Sequence, residues 1–456
     1  MSEFESQAQS DPAADNSPQK EKGRRRSMMV AAFGTIVEWY DFSIYFYVAT
    51  ILTKEFFGDR TDSLLLTLGV GAAGFLFRPL GAMVFGHLGD RVGRKSALVV
   101  SAVLMAVAML GIAIMPTYDM IGIWAGVGMV FFRCLSGFSV GAEYTGIMVF
   151  LMESAGSKRR GLAASWAAAN SEVGALLAVG SGALLANLLT PDAMSSWGWR
   201  ALFILGAVLA AIMVPLRKMM EETDTFKRLQ AAEKKKPAVK HTRSPLIIAF
   251  IQQPRAILVA FLISSIGSVS YFLNITYLPT YIEEVAHVKS SGSLALGTIA
   301  AVVAIAITPL FGVASDRFGR KRTLAVLMAV FILTTVPAYA LLADGNSGVA
   351  IFGVAFLAVP AAGWSAVAAA MVPEQFTGTS RFSGMAIGYN VATVLFGGLS
   401  PLIATALMSS TGFTLAPAVY ATVIVVVAGV PTLFLARNMA GRPLAEVDKD
   451  RELVPA

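Results

Sequence analysis

A chain of 456 residues that is 56% hydrophobic and only 14% charged, with mean hydropathy +0.67, lies outside the range of a soluble domain. Its single cysteine, Cys134, sits in an apolar stretch, so no intramolecular disulfide can form. The net charge of +7 does not call for an acidic partner, because the basic residues sort by membrane side.

Residues 1–27, rich in Ser, Asp, Pro, Gln and Lys, read as a disordered cytoplasmic N-terminus. No cleavable apolar region precedes the first span, so this is neither a signal peptide nor a transit peptide. Arg24-Arg25-Arg26 reads as a topology signal. The first span runs from about Met28 to Thr50. Further apolar segments fall at 64–86, 97–115, 120–151, 161–189, 199–216, 256–280, 293–314, 323–342, 348–371, 383–407 and 413–436. At about 20 residues per span this predicts twelve transmembrane helices. Residues 28–216 form an N-terminal six-helix half and 255–436 a C-terminal one. Residues 217–254, with Lys234-Lys235-Lys236, form a cytoplasmic linker, helical or flexible, and 437–456 a cytoplasmic tail.

Two copies of G-x-x-x-D-R-x-G-R-K stand between apolar segments, Gly86–Lys95 and Gly312–Lys321, 226 residues apart. Stretches this polar do not sit in hydrocarbon and read as tight loops between spans. Their recurrence at half the chain length predicts two related halves, as in many secondary transporters. Counting Lys and Arg with both termini inside puts thirty on the cytoplasmic side and four (Lys54, Arg60, Arg200, Lys289) outside, with Arg78 and Arg133 within spans. A second repeat, Glu153-x6-Arg160 and Glu374-x6-Arg381, closes spans four and ten, 221 residues apart. Asp90, Arg94, Asp316 and Arg320, together with these two Glu/Arg pairs, are the candidate gating residues.

The twin motifs resemble the signature loops of the major facilitator superfamily, and Phe131–Tyr144 resembles its fourth-helix motif. Glu38-Trp39-Tyr40-Asp41-Phe42, Arg78-Pro79-Leu80-Gly81 and Ser196-Trp197-Gly198-Trp199-Arg200 resemble the metabolite:proton symporter family. Tyr271–Tyr281 is similar to its proline/betaine branch. The resemblance implies an all-α integral membrane fold of two pseudo-symmetric six-helix halves and uptake of a small polar metabolite by alternating access. It also implies proton coupling through an acid on helix one and the helix-four Arg133.

The residues themselves point the same way. Ionisable groups inside spans are costly and mark function. Six are deep: Glu38, Asp41, Arg78, Arg133, Glu143 and Glu172. At 1.5 Å per residue Glu38 and Asp41 lie about 15–20 Å into span one, Arg133 about 18 Å from the outer end of span four, and Glu172 about 16 Å into span five. These four meet near the midplane and are the candidates for proton coupling, with Glu38 and Asp41 both open as the carrier. Arg78 and Glu143, at matching depth nearer the cytoplasm, are expected to form a structural ion pair. Carboxylates in excess of bases in a low dielectric take up protons. Candidate substrate contacts are Trp39, Tyr40, Tyr144, Asn170, Tyr271, Asn274 and Tyr277, because aromatic faces hold quaternary ammonium and amides supply hydrogen bonds.

Gly137-Phe138-Ser139-Val140-Gly141 matches the G-x-S-x-G nucleophile elbow, yet it lies within a span, where G-x-x-x-G spacing signals close helix packing. The chain therefore reads as a proton-coupled symporter and not an enzyme. A proton-driven antiporter or a non-transporting sensor of the same fold stands as the alternative. No metal or organic cofactor is expected, the proton being the coupling ion. The expected partners are a small-molecule substrate (a zwitterion such as proline or betaine, or a small carboxylate) and the bilayer of the cell inner membrane. Nucleic acid is not among them, and the functional unit is a monomer.

Overall fold

The computed structural model describes residues 18–58, 63–92, 94–141, 143–153, 155, 157–219, 251–345, 347–376 and 381–442. Twelve helical spans follow in order. They are α1 (Pro18–Tyr47, continued beyond Val48 as Ala49–Phe57), α2 (Ser63–Val92), α3 (Arg94–Ile114), α4 (Ile123–Ser139, then Glu143–Glu153), α5 (Arg160–Leu188) and α6 (Trp199–Lys218). The second half has α7 (Pro254–Tyr271), α8 (Ser290–Phe318), α9 (Arg320–Ala343), α10 (Ser347–Met371), α11 (Arg381–Thr393, then Ser400–Thr411) and α12 (Ala416–Leu435). Eleven described helices are long and apolar enough to cross a membrane. The other, α1, is lowered in apolarity by Glu38, Asp41 and its string of Tyr and Ser.

Two expectations are corrected. Residues 18–27 are helical, because their Gln, Glu, Lys and Arg are good helix formers that extend α1 backward; residues 1–17 lie outside the described residues. The repeated motifs are not loops. Gly312–Phe318 is the last stretch of α8, and the turn into α9 narrows to Gly319 at φ 90°, which a residue without Cβ adopts freely. A helix emerging from hydrocarbon keeps its backbone bonds while its side chains become polar. Most of the predicted linker, residues 220–250, lies outside the described residues.

Small residues set the closest helix contacts. A Cβ on Gly137 would strike the Gly74 carbonyl and one on Gly141 the Arg78 carbonyl, so the glycines of this G-x-x-x-G let α4 lie against α2. Between the halves α5 packs on α8, with Gly312 facing the Gly161 carbonyl and Ser165. Two π-helical turns, Phe272–Thr276 and Val394–Gly398, interrupt α7 and α11. Such turns leave carbonyls out of α register and occur often at functional sites. Beyond the first, the short helix Leu278–Ala286 extends past the membrane-crossing stretch Pro254–Thr276.

Candidate functional site

The deep charges form three ion pairs and leave one acid alone. Arg133 on α4 places Nη1 3.3 Å from both carboxylate oxygens of Asp41 on α1, and the Ser136 hydroxyl donates to the same carboxylate. Arg78 on α2 pairs with Glu38, not with Glu143. Glu143 pairs with Arg217 of α6, whose Nη1 also donates to the Leu98 carbonyl at 2.5 Å. The expected Arg78–Glu143 pair is thus replaced: equal depth placed them at one level, but the order of helices around the bundle sets each beside a different partner. Gly34 makes room for the Glu143–Arg217 contact, since a Cβ there would strike the Glu143 carboxylate. Phe42 lies between the two cationic groups, with the Arg78 and Arg133 guanidinium carbons 4.4 and 5.2 Å from its ring centre. Glu172 on α5 is fully buried with no hydrogen-bond partner and no ion pair among the described residues.

Just beside these pairs a small cavity opens between the halves. Its lining includes aromatic rings: Trp39 from α1, Tyr144 from α4, Tyr271 and Phe272 from α7, and Tyr389 from α11. Trp39 meets Tyr271 edge-on at 5.1 Å and Tyr144 at 5.6 Å, and Tyr144 meets Tyr389 at 5.6 Å. The lining also includes hydroxyls, Ser264 and Ser268 one turn apart on α7, Ser365 on α10, Thr393 on α11 and Ser171 on α5. Aromatic faces and hydroxyl donors lining one cavity match a solute with a soft cation and a carboxylate.

At the end that carries the termini, side chains from the two halves interlock. Arg160, the first residue of α5, donates from Nε to Glu374 at 2.9 Å and from its Nη atoms to the Met439 and Arg442 carbonyls at 2.6 Å each. Asp316 of α8 accepts from the backbone N–H of Gly161 and Leu162 at 2.8 and 2.9 Å. An acid of one half therefore caps the N-terminus of a helix of the other, where the helix dipole favours negative charge. Arg320 then ties Asp316 at 2.8 Å to Glu374 at 3.1 Å. Arg381 donates to the Pro373 and Phe376 carbonyls, closing its own turn. The side chains of Asp90, Arg94 and Glu153 lie outside the described residues.

At the opposite end the Thr50 hydroxyl of α1 donates to Glu283 at 2.9 Å, and Ser293 of α8 donates to the same carboxylate at 2.5 Å. Burial pushes the Glu283 carboxyl above the usual range, and the three hydroxyls of Ser293, Thr50 and Ser290 only partly offset it.

Of the predicted contact residues, Trp39, Tyr144 and Tyr271 line the cavity. Tyr40 instead donates to the Leu202 carbonyl at 2.8 Å, and Tyr277 shares a 2.7 Å hydrogen bond with Thr405, so both brace helices inside one half. Asn274 is fully buried in the first π-helical turn with both amide atoms unpartnered, and Asn170 is half-buried; neither lines the cavity. Sequence reading missed Ser365 and Thr393, Arg217, which was counted with the linker, and Glu283 at the opposite end. It also missed Arg200, which donates to the Ala113 and Met115 carbonyls and caps α3.

Residues 27–450 match the Sugar (and other) transporter family. The chain belongs to the major facilitator superfamily. It is a multi-pass membrane transporter of a small molecule and not an enzyme. It is 33% identical over 419 residues to the ectoine/proline transporter ProP of Corynebacterium glutamicum, covering 89% of this chain and 82% of that protein. It is 31% identical over 430 residues to the glycine betaine/proline/ectoine/pipecolic acid transporter OusA of Dickeya dadantii, covering 92% of this chain and 84% of that one. The solved structure of the proton:xylose symporter XylE superposes with a TM-score of 0.73 at 18% identity, over 93% of this chain and 98% of that one, a likeness of fold.

Proposed function

We propose that this transporter takes up a small zwitterionic osmolyte of the betaine and proline class together with a proton, by alternating access, across the cytoplasmic membrane, with both termini inside. The observation that carries the substrate class is the cavity wall of Trp39, Tyr144, Tyr271 and Tyr389, set close to edge-on ring contacts where a desolvated quaternary or secondary ammonium gains about 2 kcal/mol from an aromatic face. No arginine lines this cavity among the described residues, which disfavours a simple dicarboxylate held by Arg133; that arginine faces Asp41 behind it. The solutes that the relatives' names give agree with this class.

Proton coupling is assigned to Asp41 with Arg133. Their 3.3 Å contacts are long for a charge-assisted bond, and Ser136 holds the carboxylate from the other side. A proton on Asp41 releases Arg133, and the rest of the cluster rearranges around the freed cation. Glu38 is tied to Arg78 and is the less available carrier. The lysine and arginine distribution supports the inside placement of both termini. Proteoliposome uptake of radiolabelled glycine betaine, proline and succinate under an imposed pH gradient tests the reading. Accumulation of the first two but not of succinate supports it, and gradient-driven succinate uptake refutes the substrate class.

A further inference from the structure

Glu172 is the one deep acid that the coupling cluster does not neutralise, and the groups around it are unusual for a membrane interior. The hydroxyl of Tyr271 on α7 faces its carboxylate, and Tyr47 on α1 lies within electrostatic reach. The Tyr47 hydroxyl in turn stands beside those of Ser43 on α1 and Thr276 in the π-helical turn of α7. Both Glu172 oxygens and all four hydroxyls are buried, and although they face one another none meets its neighbour at full hydrogen-bond geometry. Buried polar groups are almost always satisfied, and a buried lone charge costs several kcal/mol, so a whole cluster left open needs an occupant. Two α1 residues, one from α5 and two from α7 offer oxygens only. Besides Tyr47 and Tyr271, the titratable group facing Glu172 is Tyr144 of α4. No arginine, lysine or histidine pairs with it among the described residues. An anionic oxygen ringed by neutral oxygens is the donor set of a small hard cation.

We propose that Glu172, Tyr271, Tyr47, Ser43 and Thr276 form a second coupling site for a small monovalent cation, a proton or a sodium ion, distinct from Asp41–Arg133 and linked to the substrate through Tyr271. Tyr271 belongs to both places: its ring lines the cavity while its hydroxyl faces Glu172. An ion at Glu172 fixes that hydroxyl and so fixes the ring that the solute's cation meets. Because α1 and α5 belong to one half and α7 to the other, the ion also holds the two halves together around the loaded cavity. The linkage through Tyr271 rests on the functional reading above; the ion site itself does not.

The experiment uses the purified full-length protein in nanodiscs. Binding of radiolabelled glycine betaine is measured across a pH series without sodium, and across a sodium series at fixed pH balanced with N-methylglucamine. For the wild type, affinity rises by up to about tenfold per pH unit as protons are added, or by up to about tenfold per decade of sodium, which tells the two ions apart. Glu172→Gln abolishes a sodium slope, or lowers a proton slope to the part that Asp41 supplies. Tyr271→Phe removes the hydroxyl that links the ion to the ring, so the cation dependence of affinity falls as it does in Glu172→Gln. Wild-type slopes in Glu172→Gln overturn the site. If the wild type binds no glycine betaine, the substrate reading fails, and thermal unfolding then decides the site alone. A rise in Tm with sodium or acid in the wild type that Glu172→Gln loses supports it; no cation-dependent difference between the two overturns it.

Discussion

Arg160 and Glu374 come from the two copies of one repeated motif, and each binds the other across the halves at 2.9 Å. Both are almost fully buried, and Arg320 holds the second oxygen of the same carboxylate. In the membrane orientation proposed above this is the cytoplasmic seam, which an alternating-access carrier must part in every cycle. The pair therefore locks one state and must be dissolved in the other, so its removal biases the population.

Glu374→Gln leaves Arg160 and Arg320 buried without their shared counter-charge. Loss of one partner of a buried pair costs about 3–5 kcal/mol in the state that contains it. The expected result is a carrier resting open to the cytoplasm. Labelling of a cysteine introduced at Ser365 from the cytoplasmic side of inside-out vesicles should quicken at least tenfold. Unchanged labelling removes the pair from the closing mechanism.

Asp316→Asn should damage transport as well, because Asp316 caps the start of α5 and binds Arg320. Losing a charged cap of this kind costs about 1–2 kcal/mol. Glycine betaine binding should persist while turnover falls, and turnover at the wild-type rate counts against a gating role.

The corrected pairing is open to a double-mutant cycle. Glu143→Gln and Arg217→Gln should each lower Tm, and together they should cost clearly less than the sum, with a coupling of about 1–3 kcal/mol. Arg78→Gln with Glu143→Gln should add nearly independently. The reverse pattern restores the pairing read from depth alone.

At the outer end, the Glu283 carboxyl is raised by burial while the seam is closed, and opening exposes it to water. The state with the higher pKa binds the proton more tightly, so acid outside favours outer closure and alkaline conditions favour opening, through the window above the ordinary carboxylate value. Glu283→Gln should make outer accessibility insensitive to external pH in that window. An unaltered pH profile refutes the role.

The sequence made the scaffold readable because apolar length, Lys/Arg asymmetry and the twin Gly-x-x-x-Asp-Arg motifs all express the bilayer directly. Depth was also legible: rise per residue put Asp41, Arg133 and Glu172 near one level, and two of them do pair. Angle around the bundle was not. Arg78 and Glu143 share a depth, but helix order gives Arg78 to Glu38, and Arg217 reaches Glu143 from a helix end that composition assigned to the linker. Tyr40 and Tyr277 look no different from Tyr144 and Tyr271 in sequence. Only the helix faces separate the ones that brace from the ones that line, and α7 adds a π-helical turn that shifts its face by a residue.

Tyr40→Phe and Tyr277→Phe should accordingly cost about 1 kcal/mol of stability each and leave substrate affinity within about twofold. Trp39→Ala or Tyr144→Ala should weaken glycine betaine binding by about 1–2 kcal/mol, roughly five- to thirtyfold. Equal affinity losses in all four variants contradict this division of the aromatic residues.

The claim that a proton travels through Asp41 and Arg133 is tested most directly by comparing counterflow with pH-driven accumulation in the same proteoliposomes carrying Asp41→Asn. Glycine betaine exchange should continue at a measurable rate, because the cavity wall is untouched, while accumulation driven by the pH gradient is lost. Full gradient-driven accumulation in Asp41→Asn, alongside normal counterflow, contradicts the assignment.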